Sequence, residues 1–530
     1  REPGTPARNE AGAERPGAKH RERAGMTVDH VVVVLLDSLN RHMLGSYGGR
    51  EFDTPNLDAF ATRAVRFTRH YTGSLPCMPA RHDILCGAVD FLWKPWGSIE
   101  VWEQPVTASL RSAGVVTMLA SDHPHLFETG GENYHSDFTA WDYVRGHEGD
   151  PWRTYPDVTS VGAPVLPARA ARGLHRPYDT SRTYFRSEED FPGPRTMRAA
   201  AEWIEGAARH HDKWLLFVDE FDPHEPFDTP APWAHRYDPD WRDELLIWPP
   251  YDVNPIAEGR LTERAGRQIR ANYGAKLSMI DHWFGRVTAT LENQGLWDST
   301  AVIVCTDHGH YLGEKDIWGK PGVMQYEPLG HMPLLVHWPD VPADTECDAL
   351  TTSVDLFATI ADIFDVAPEH RTHGRSLVPL LTGEAGSIRE WAIGGVYGNW
   401  VQITDGRRKY ARGPVGSNFP LSMWSNRWST MPVHGFPTLL APPDKRARLD
   451  FMPGTDVPVI RQPFEPGDAL PYWAGMNCVD DHHCFDVDND PDEHEDLVGT
   501  QIEREMLDML REALREVDAP GEQYERLGIA

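Results

Sequence analysis

The chain is poor in cysteine, in positive charge and in long apolar runs. Cys77, Cys86, Cys305, Cys347, Cys478 and Cys484 are its six cysteines in 530 residues. Six so dispersed make no disulfide framework, and no CxxC pair points to structural zinc. Only Cys478 and Cys484 stand near enough in sequence for an easy local bridge. Lys and Arg number 51 against 80 Asp and Glu, a formal net charge of −29. So acidic a chain is a poor general binder of nucleic acid or anionic membrane, because both attract basic surfaces. An anionic substrate then needs a local basic pocket that works against the overall field. The longest apolar run, Val31–Leu36, has the length of a strand and falls short of the roughly 18 residues of a membrane helix. Residues 1–25 are rich in Arg, Glu, Gly, Ala and Pro and show no apolar stretch of a secretory signal. Free thiols and a cytoplasmic location are the expectation. With 40% hydrophobic residues and 19 Trp, the chain has ample material for a core, which excludes wholesale disorder.

From Val28 onward, short β-branched runs alternate with amphipathic stretches. Residues 31–37, 115–121, 214–220, 301–307 and 332–338 read as strands buried on both faces. Helical patterns lie between them at 55–64, 107–113, 196–209, 261–294 and 353–364. This alternation predicts an α/β fold with a mostly parallel central sheet flanked by helices. Ligands of such sheets bind at the carboxyl ends of the strands. Three of these strands end in acids: Asp37, then Asp219 and Glu220, then Asp307. After about Leu381 the rhythm stops. Residues 391–413 read as an antiparallel strand pair with an Asp405-Gly406 turn, and 502–517 as an amphipathic helix. The expected organisation is a leader at 1–26, a catalytic α/β domain at 27–384 and a smaller C-terminal α+β domain with an antiparallel sheet at 385–530. Pro-, Gly-, Arg- and Trp-rich insertions are expected at about 140–195 and 411–476.

Asp37 together with Asp307-His308, brought to one sheet end, makes a hard-cation site of carboxylates and one imidazole. The plainer alternative is that both aspartates cap the loops that follow. The stretch Cys77-Met78-Pro79-Ala80-Arg81, running on to Gly87, places a thiol near a fixed cation with a fork of donors. Taken alone it also reads as a buried structural Cys, or as a thiolate nucleophile that lacks a His/Asn partner pattern.

CMPAR…G resembles the C-x-P-x-R…G signature of the type I sulfatases, in the alkaline phosphatase superfamily. VVVVLLDSLNRHMLGSYGG, DPHEPF (222–227), TDHGHYLGEKDIWGKPG (306–322) and CFDVDNDPDEHEDLVG are similar to further family segments, in family order. The resemblance implies an alkaline phosphatase-like fold and a hydrolase of sulfate esters, with arylsulfatase-like activity. It implies that a formylglycine-generating enzyme converts Cys77 to formylglycine, whose hydrate is both nucleophile and metal ligand. Asp37, Cys77, Asp307 and His308 would then hold one divalent ion, Ca, Mn or Mg. Arg81 and Lys320 would hold the anionic group, and His224 would lie near the leaving oxygen as general acid. The family's G-K-x-H segment aligns with Asp122-His123-Pro124-His125, adding His123 and His125 to the candidate catalytic residues.

Three departures stand out. Asp37 is followed by Ser38 rather than by a second aspartate. Asp307 is followed by His308 rather than Asn, which is similar to the phosphonate monoester hydrolase branch. His123 replaces a fixed ammonium with a switchable imidazole. The expected partner is a small anionic ester, with a sulfate ester first and a phosphonate monoester or phosphodiester as the alternative; a catalytically silent binding scaffold is the third reading. Nucleic acid and membrane are not expected, and a homo-oligomer is left open. His310, His331 and His337 read as core or near-site residues, and His482-His483 as a solvated loop. Trp400, Trp424 and Trp428 read as an aromatic wall for substrate or as packing between subunits or domains.

Overall fold

The computed structural model describes residues 28–154, 175–429, 443–471 and 481–530. The leader and Cys478 lie outside the described residues, as do parts of both predicted insertions.

The strands in chain order are β1 (His30–Leu36), β2 (Val65–Tyr71), β3 (Ser74–Leu75), β4 (Val116–Ser121), β5 (Ala140–Tyr143), β6 (Trp214–Glu220) and β7 (Asp252–Val253). There follow β8 (Thr300–Cys305), β9 (Tyr311–Leu312), β10 (Ile317–Gly319), β11 (His331–His337), β12 (Thr345–Cys347) and β13 (Thr351–Thr352). The main sheet has the order β12-β2-β11-β8-β1-β6-β4-β5, with β13 also paired to β2. β1 lies at its centre, parallel to β6 on one side and β8 on the other.

A buried central strand shows in its side chains, which alternate between two cores. Val32, Val34 and Leu36 pack into one hydrophobic cluster, and Val31, Val33 and Leu35 into another. The first cluster is closed by helix α1 (Pro55–Ala61) and by the helices Pro192–Gly206 and Glu263–Asn293. The second is closed by α2 (Cys77–Cys86), α3 (Val106–Ser112) and the helix Val354–Ile363. Both faces of the sheet are thus covered, as parallel strands require.

One predicted strand departs from the parallel pattern. β11 runs antiparallel to both β8 and β2. The segment between β8 and β11 forms only short elements, β9, β10 and single-turn helices, so it supplies no crossover helix to return the chain in parallel.

The C-terminal region adds β14 (Ala392–Val396), β15 (Val401–Thr404), β16 (Arg408–Arg412), β17 (Leu421–Ser425), β18 (Arg448–Phe451), β19 (Pro458–Phe464) and β20 (His483–Asp486). The stretch 391–413 is therefore three strands, where the sequence reads as a pair. The extra turn comes at Gly398, whose φ of 68° lets the chain reverse between β14 and β15. The Asp405-Gly406 turn then joins β15 to β16, with Asp405 Oδ1 accepting from the Arg407 and Arg408 amides. This sheet has the order β20-β16-β15-β14-β3. Its last member, β3, stands just before α2, so the smaller sheet is hydrogen-bonded directly to the approach to Cys77. No helix among the described residues is long and apolar enough to cross a membrane.

Candidate active site

Asp37 follows β1, Asp219 lies within β6, and Asp307 follows β8, so three neighbouring parallel strands deliver three carboxylates to one sheet end. Cys77 is the first residue of α2 and faces that end. Its Sγ lies 3.3 Å from His308 Nε2 and 3.7 Å from Lys320 Nζ. Here Sγ marks where the oxygen substituent of a formylglycine would stand.

Donor atoms of Asp37, Cys77, Asp307 and His308 all lie within 4.8 Å of one another, and all four side chains are buried. The chemistry of this set suits a cation. His308 Nδ1 lies 2.9 Å from the Gly309 carbonyl, which only accepts, so Nδ1 carries the proton and Nε2 offers its lone pair towards Cys77. Burial holds the His308 pKa down to about 4, which keeps the ring neutral at pH 7. Asp37 Oδ2 is buried and makes no well-aligned hydrogen bond, with only the Arg81 guanidinium beside it at 3.0 Å. Burial, and then repulsion from Asp307, raises the Asp37 carboxyl well above the usual range. A bound divalent ion would relieve both penalties, so the residues present fit one.

Arg81 stands one helical turn after Cys77 on α2. Its Nε and Nη2 grip Asp219 at 2.8 and 2.6 Å, and its Nη1 donates to Asp307 Oδ2 at 2.8 Å and to the Cys77 carbonyl at 3.2 Å. Nη2 also faces Asp37 Oδ2 at 3.0 Å. The fork is thus turned onto three carboxylates and the backbone of Cys77. This differs from the sequence expectation that Arg81 grips the substrate's anionic group. The physical reason is local: a buried guanidinium surrounded by three buried acids satisfies its donors on them first.

Lys320 is the cation left facing Cys77. Its Nζ donates to Ser38 Oγ at 3.1 Å, and Ser38 Oγ donates to Asp37 Oδ1 at 2.7 Å. Burial opposes the ammonium, but the Cys77 and acidic groups around it hold its pKa well above the ordinary value. Burial, and then the Asp37 charge, raises the Cys77 thiol against the opposing pull of Lys320 and Arg81, so the neutral thiol is favoured over a thiolate.

A sulfatase family model matches residues 29–366. The chain belongs to the sulfatase family. It is 24% identical over 419 residues to a choline-sulfatase of Rhizobium meliloti (strain 1021), covering 72% of this chain and 77% of that protein. It is 25% identical to the human iduronate 2-sulfatase, covering 69% of this chain and 70% of the relative. In fold it is similar to the phosphonate monoester hydrolase of Agrobacterium radiobacter, with a TM-score of 0.61 and 18% identity over 92% of this chain and 95% of that one. The α/β sheet, its helices and the smaller antiparallel sheet are those of the family.

Around this sulfatase centre the other candidates spread outward. His224 is 4% exposed, and its Nδ1 donates to the Glu225 carbonyl at 2.8 Å, leaving Nε2 free. Burial lowers its pKa well below the ordinary value. His123 is wholly buried with neither ring nitrogen hydrogen-bonded, and its ring tilts against Phe221. Burial, then the Arg81 charge, keeps it uncharged. His125 lies further out, bound to Glu128 and, at 3.3 Å, to Glu148. Burial works against its charge, yet Glu128 and then Glu148 raise its pKa to about 10, so it is an imidazolium. Trp400 lines a narrow apolar pocket with Leu75, Val323 and Val396, beside His308 and Lys320. Trp424 packs in the C-terminal core and Trp428 against a second small cluster there. His331 pairs with Glu327, and His337 bonds the carbonyls of Arg63 and Trp297, away from the centre. His483 pairs with Asp496 and His482 Nδ1 takes the Gly413 amide.

Sequence reasoning passed over Asp219, Ser38 and Glu225. Asp219 was visible as a strand-end acid, but only the fold turns it onto Arg81. Ser38 fills the place of a second aspartate. Its φ of 63° lets its amide donate to Asp307 Oδ1 at 3.1 Å while its hydroxyl links Lys320 to Asp37. Glu225 lies inside the DPHEPF segment but was given no role there; it accepts from Tyr251 at 2.8 Å and lies beside His224 and His310.

Proposed function

We propose that this chain hydrolyses a sulfate ester of a small molecule, with formylglycine made from Cys77 as the nucleophile. The observation that supports this best is the position of Cys77, at the head of a buried helix, between the His308 lone pair and the Lys320 ammonium. Asp37, Asp307, His308 and the converted Cys77 would hold one divalent ion, with Ca, Mn and Mg all suited to the oxygen-rich set. Such an ion would lower the pKa of the nucleophilic hydroxyl and neutralise the ester's non-bridging oxygens.

Conversion of the thiol to an aldehyde is the task of a formylglycine-generating enzyme. One hydroxyl of the hydrated aldehyde would give its proton to the Asp37 carboxylate and bond to sulfur as the bond from sulfur to the alcohol oxygen breaks. Once the bound ester's negative charge offsets the burial that keeps its ring neutral, His224 Nε2 would carry the proton that goes to that oxygen. The second hydroxyl would then return a proton to the His224 Nε2 lone pair, the aldehyde would re-form and the carbon–oxygen bond to sulfate would break. Lys320 stabilises the charge on the transferred group. Arg81 contributes by bracing Asp37 and Asp307 at their spacing.

A phosphonate monoester is the second reading, and the uncharged His123 favours it. Without a fixed ammonium there, the pocket discriminates weakly between two monoanions of similar shape. Peptide mass spectrometry on the Cys77 fragment, from protein matured with the modifying enzyme, tests the mechanism. A hydrazide-reactive aldehyde is the expected result; a persisting thiol overturns it and favours a silent scaffold. Relative rates on matched aryl sulfate and aryl phosphonate esters then decide between the two substrates.

A further inference from the structure

A buried carboxylate stands behind the His224 ring. Glu225, the next residue, presents two oxygens to the same ring nitrogen: its backbone carbonyl accepts from His224 Nδ1 at 2.8 Å, and its carboxylate Oε2 lies 3.4 Å from that nitrogen. Nδ1 is thereby the protonated nitrogen of the neutral ring, and Nε2 is left for the leaving oxygen. Phe221 stacks on the ring at 4.2 Å between centroids and fixes its plane. Glu225 is wholly buried, and the Tyr251 hydroxyl donates to its Oε1 at 2.8 Å, which keeps Oε2 turned to His224. The other groups that face the ring do not supply this charge. Glu148, after β5, brings a carboxylate oxygen within 4.8 Å, but it is paired at 3.3 Å with the His125 imidazolium, which offsets part of its charge. His123, after β4, and His310, after β8 and 3.5 Å from Glu225 Oε2, are kept neutral by burial. Lys320, after β10, opposes a positive ring. Burial drives the His224 pKa well below its ordinary value, and the Glu225 charge works against that fall.

We propose that Glu225 is a positioning residue for the general acid: its carboxylate, held by Tyr251, steadies the His224 imidazolium, so that the site releases alcohols too basic to leave without a proton. This rests on the proposed acid role of His224. The proton on Nε2 goes to the leaving oxygen, one returns to Nε2 from the second hydroxyl, and Glu225 stays ionised throughout. An activated phenol leaves as its anion and gains little from the acid, whereas an unactivated phenol or an alkanol depends on it. The carboxylate therefore widens the range of esters the site can cleave towards poor leaving groups.

The test measures kcat and KM of matured protein on two esters of like size, 4-nitrophenyl sulfate and 4-methoxyphenyl sulfate. Glu225→Gln keeps the shape and the Tyr251 contact but removes the charge. Its kcat is expected to fall at least about tenfold more on the methoxyphenyl ester than on the nitrophenyl ester, with KM changed by less than about twofold. The alkaline limb of its kcat profile on the methoxyphenyl ester is expected about one pH unit lower. Glu225→Asp, which retains the charge, should restore most of the rate. Tyr251→Phe should show the same bias in smaller measure, and it carries the test if melting curves show that Glu225→Gln does not fold. His224→Ala should show the bias most strongly. An equal loss on both esters, or an unmoved alkaline limb, in Glu225→Gln while His224→Ala keeps the bias overturns the role of Glu225 alone. No bias in His224→Ala overturns the acid role of His224 and that of Glu225 with it. No turnover of either ester by the matured, unsubstituted protein overturns both together with the sulfate-ester reading.

Discussion

At the scale of single residues, the site separates groups that act on substrate from groups that hold those groups still. On the proposed mechanism Cys77 and Lys320 belong to the first kind. Replacing Cys77 with Ala is expected to lower turnover by at least about 10³-fold with the melting curve unchanged, since only the nucleophile is lost. Cys77→Ser should allow a single sulfuryl transfer and then stall, because serine has no second hydroxyl; trapped sulfoserine, read by mass, is the signature. Lys320→Ala should cost about 10²- to 10³-fold in kcat/KM with metal content unaltered, as expected for a positioned cation opposite developing charge. Asp219 belongs to the second kind. Its carboxylate is turned onto Arg81, and Asp219→Ala removes two hydrogen bonds from a buried guanidinium. A loss of about 3–5 kcal/mol in urea unfolding is expected, because a buried charge is left partly unpaired.

At the scale of elements, α2 is the part on which the site turns. Its first residue is Cys77, the proposed nucleophile, and Arg81 one turn later ties it to the segment after β1, to β6 and to the segment after β8. Its far end stands over a buried ionic cluster, where His82 pairs with Glu103 at 2.9 Å and Lys94 lies among Asp90, Glu100 and Glu103. Glu100 in turn accepts from the amides of Asn426 and Arg427, so this cluster fastens the region after β17 to the nucleophile's helix. Lys94→Met is therefore expected to destabilise by about 3–5 kcal/mol and to loosen α2, read as faster amide exchange along residues 77–86. Elsewhere an element is fixed by a residue far off in sequence. Asp281, in the long helix Glu263–Asn293, accepts from the Asn56 and Leu57 amides and so caps α1. Asp281→Ala should cost about 1–2 kcal/mol, measured by chemical denaturation.

At the scale of the whole molecule, buried histidines set the response to acid. His70 and His373 have pKa values lowered to about 3, and His308 to about 4, in each case first by burial. The folded form binds fewer protons here than the unfolded chain, whose histidines titrate near 6.5. Their contribution to stability is present above pH 6.5 and is lost as pH falls towards 3–4. His125 has the opposite sign. Its pKa of about 10 means stability that is full below pH 6.5 and is lost as pH rises through 10. Melting temperatures across pH 4–10 should therefore peak in between. The acid limb should shrink in His70→Asn, while the alkaline limb should shrink in His125→Gln.

The sequence by itself determined the strand-and-helix alternation and the family, and it put forward the candidate site residues. Apolar runs that must be buried on both faces have few places to go but the middle of a covered parallel sheet. Motifs such as CMPAR and TDHGHYLGEK are local in the chain and can be read there. Local text also misled where direction depends on long-range pairing. It did not reveal that β11 reverses, or that β14 and β15 are separate strands. Nor did it reveal the partner of Arg81. A guanidinium chooses among acceptors by distance, and its three carboxylates come from strands separated by up to 270 residues in order, which only the tertiary structure brings within 3 Å. The same holds for Glu148 and His310, which stand far in sequence from the adjacent pair His224-Glu225. Their meeting was decided by how the loops fold over the end of the sheet.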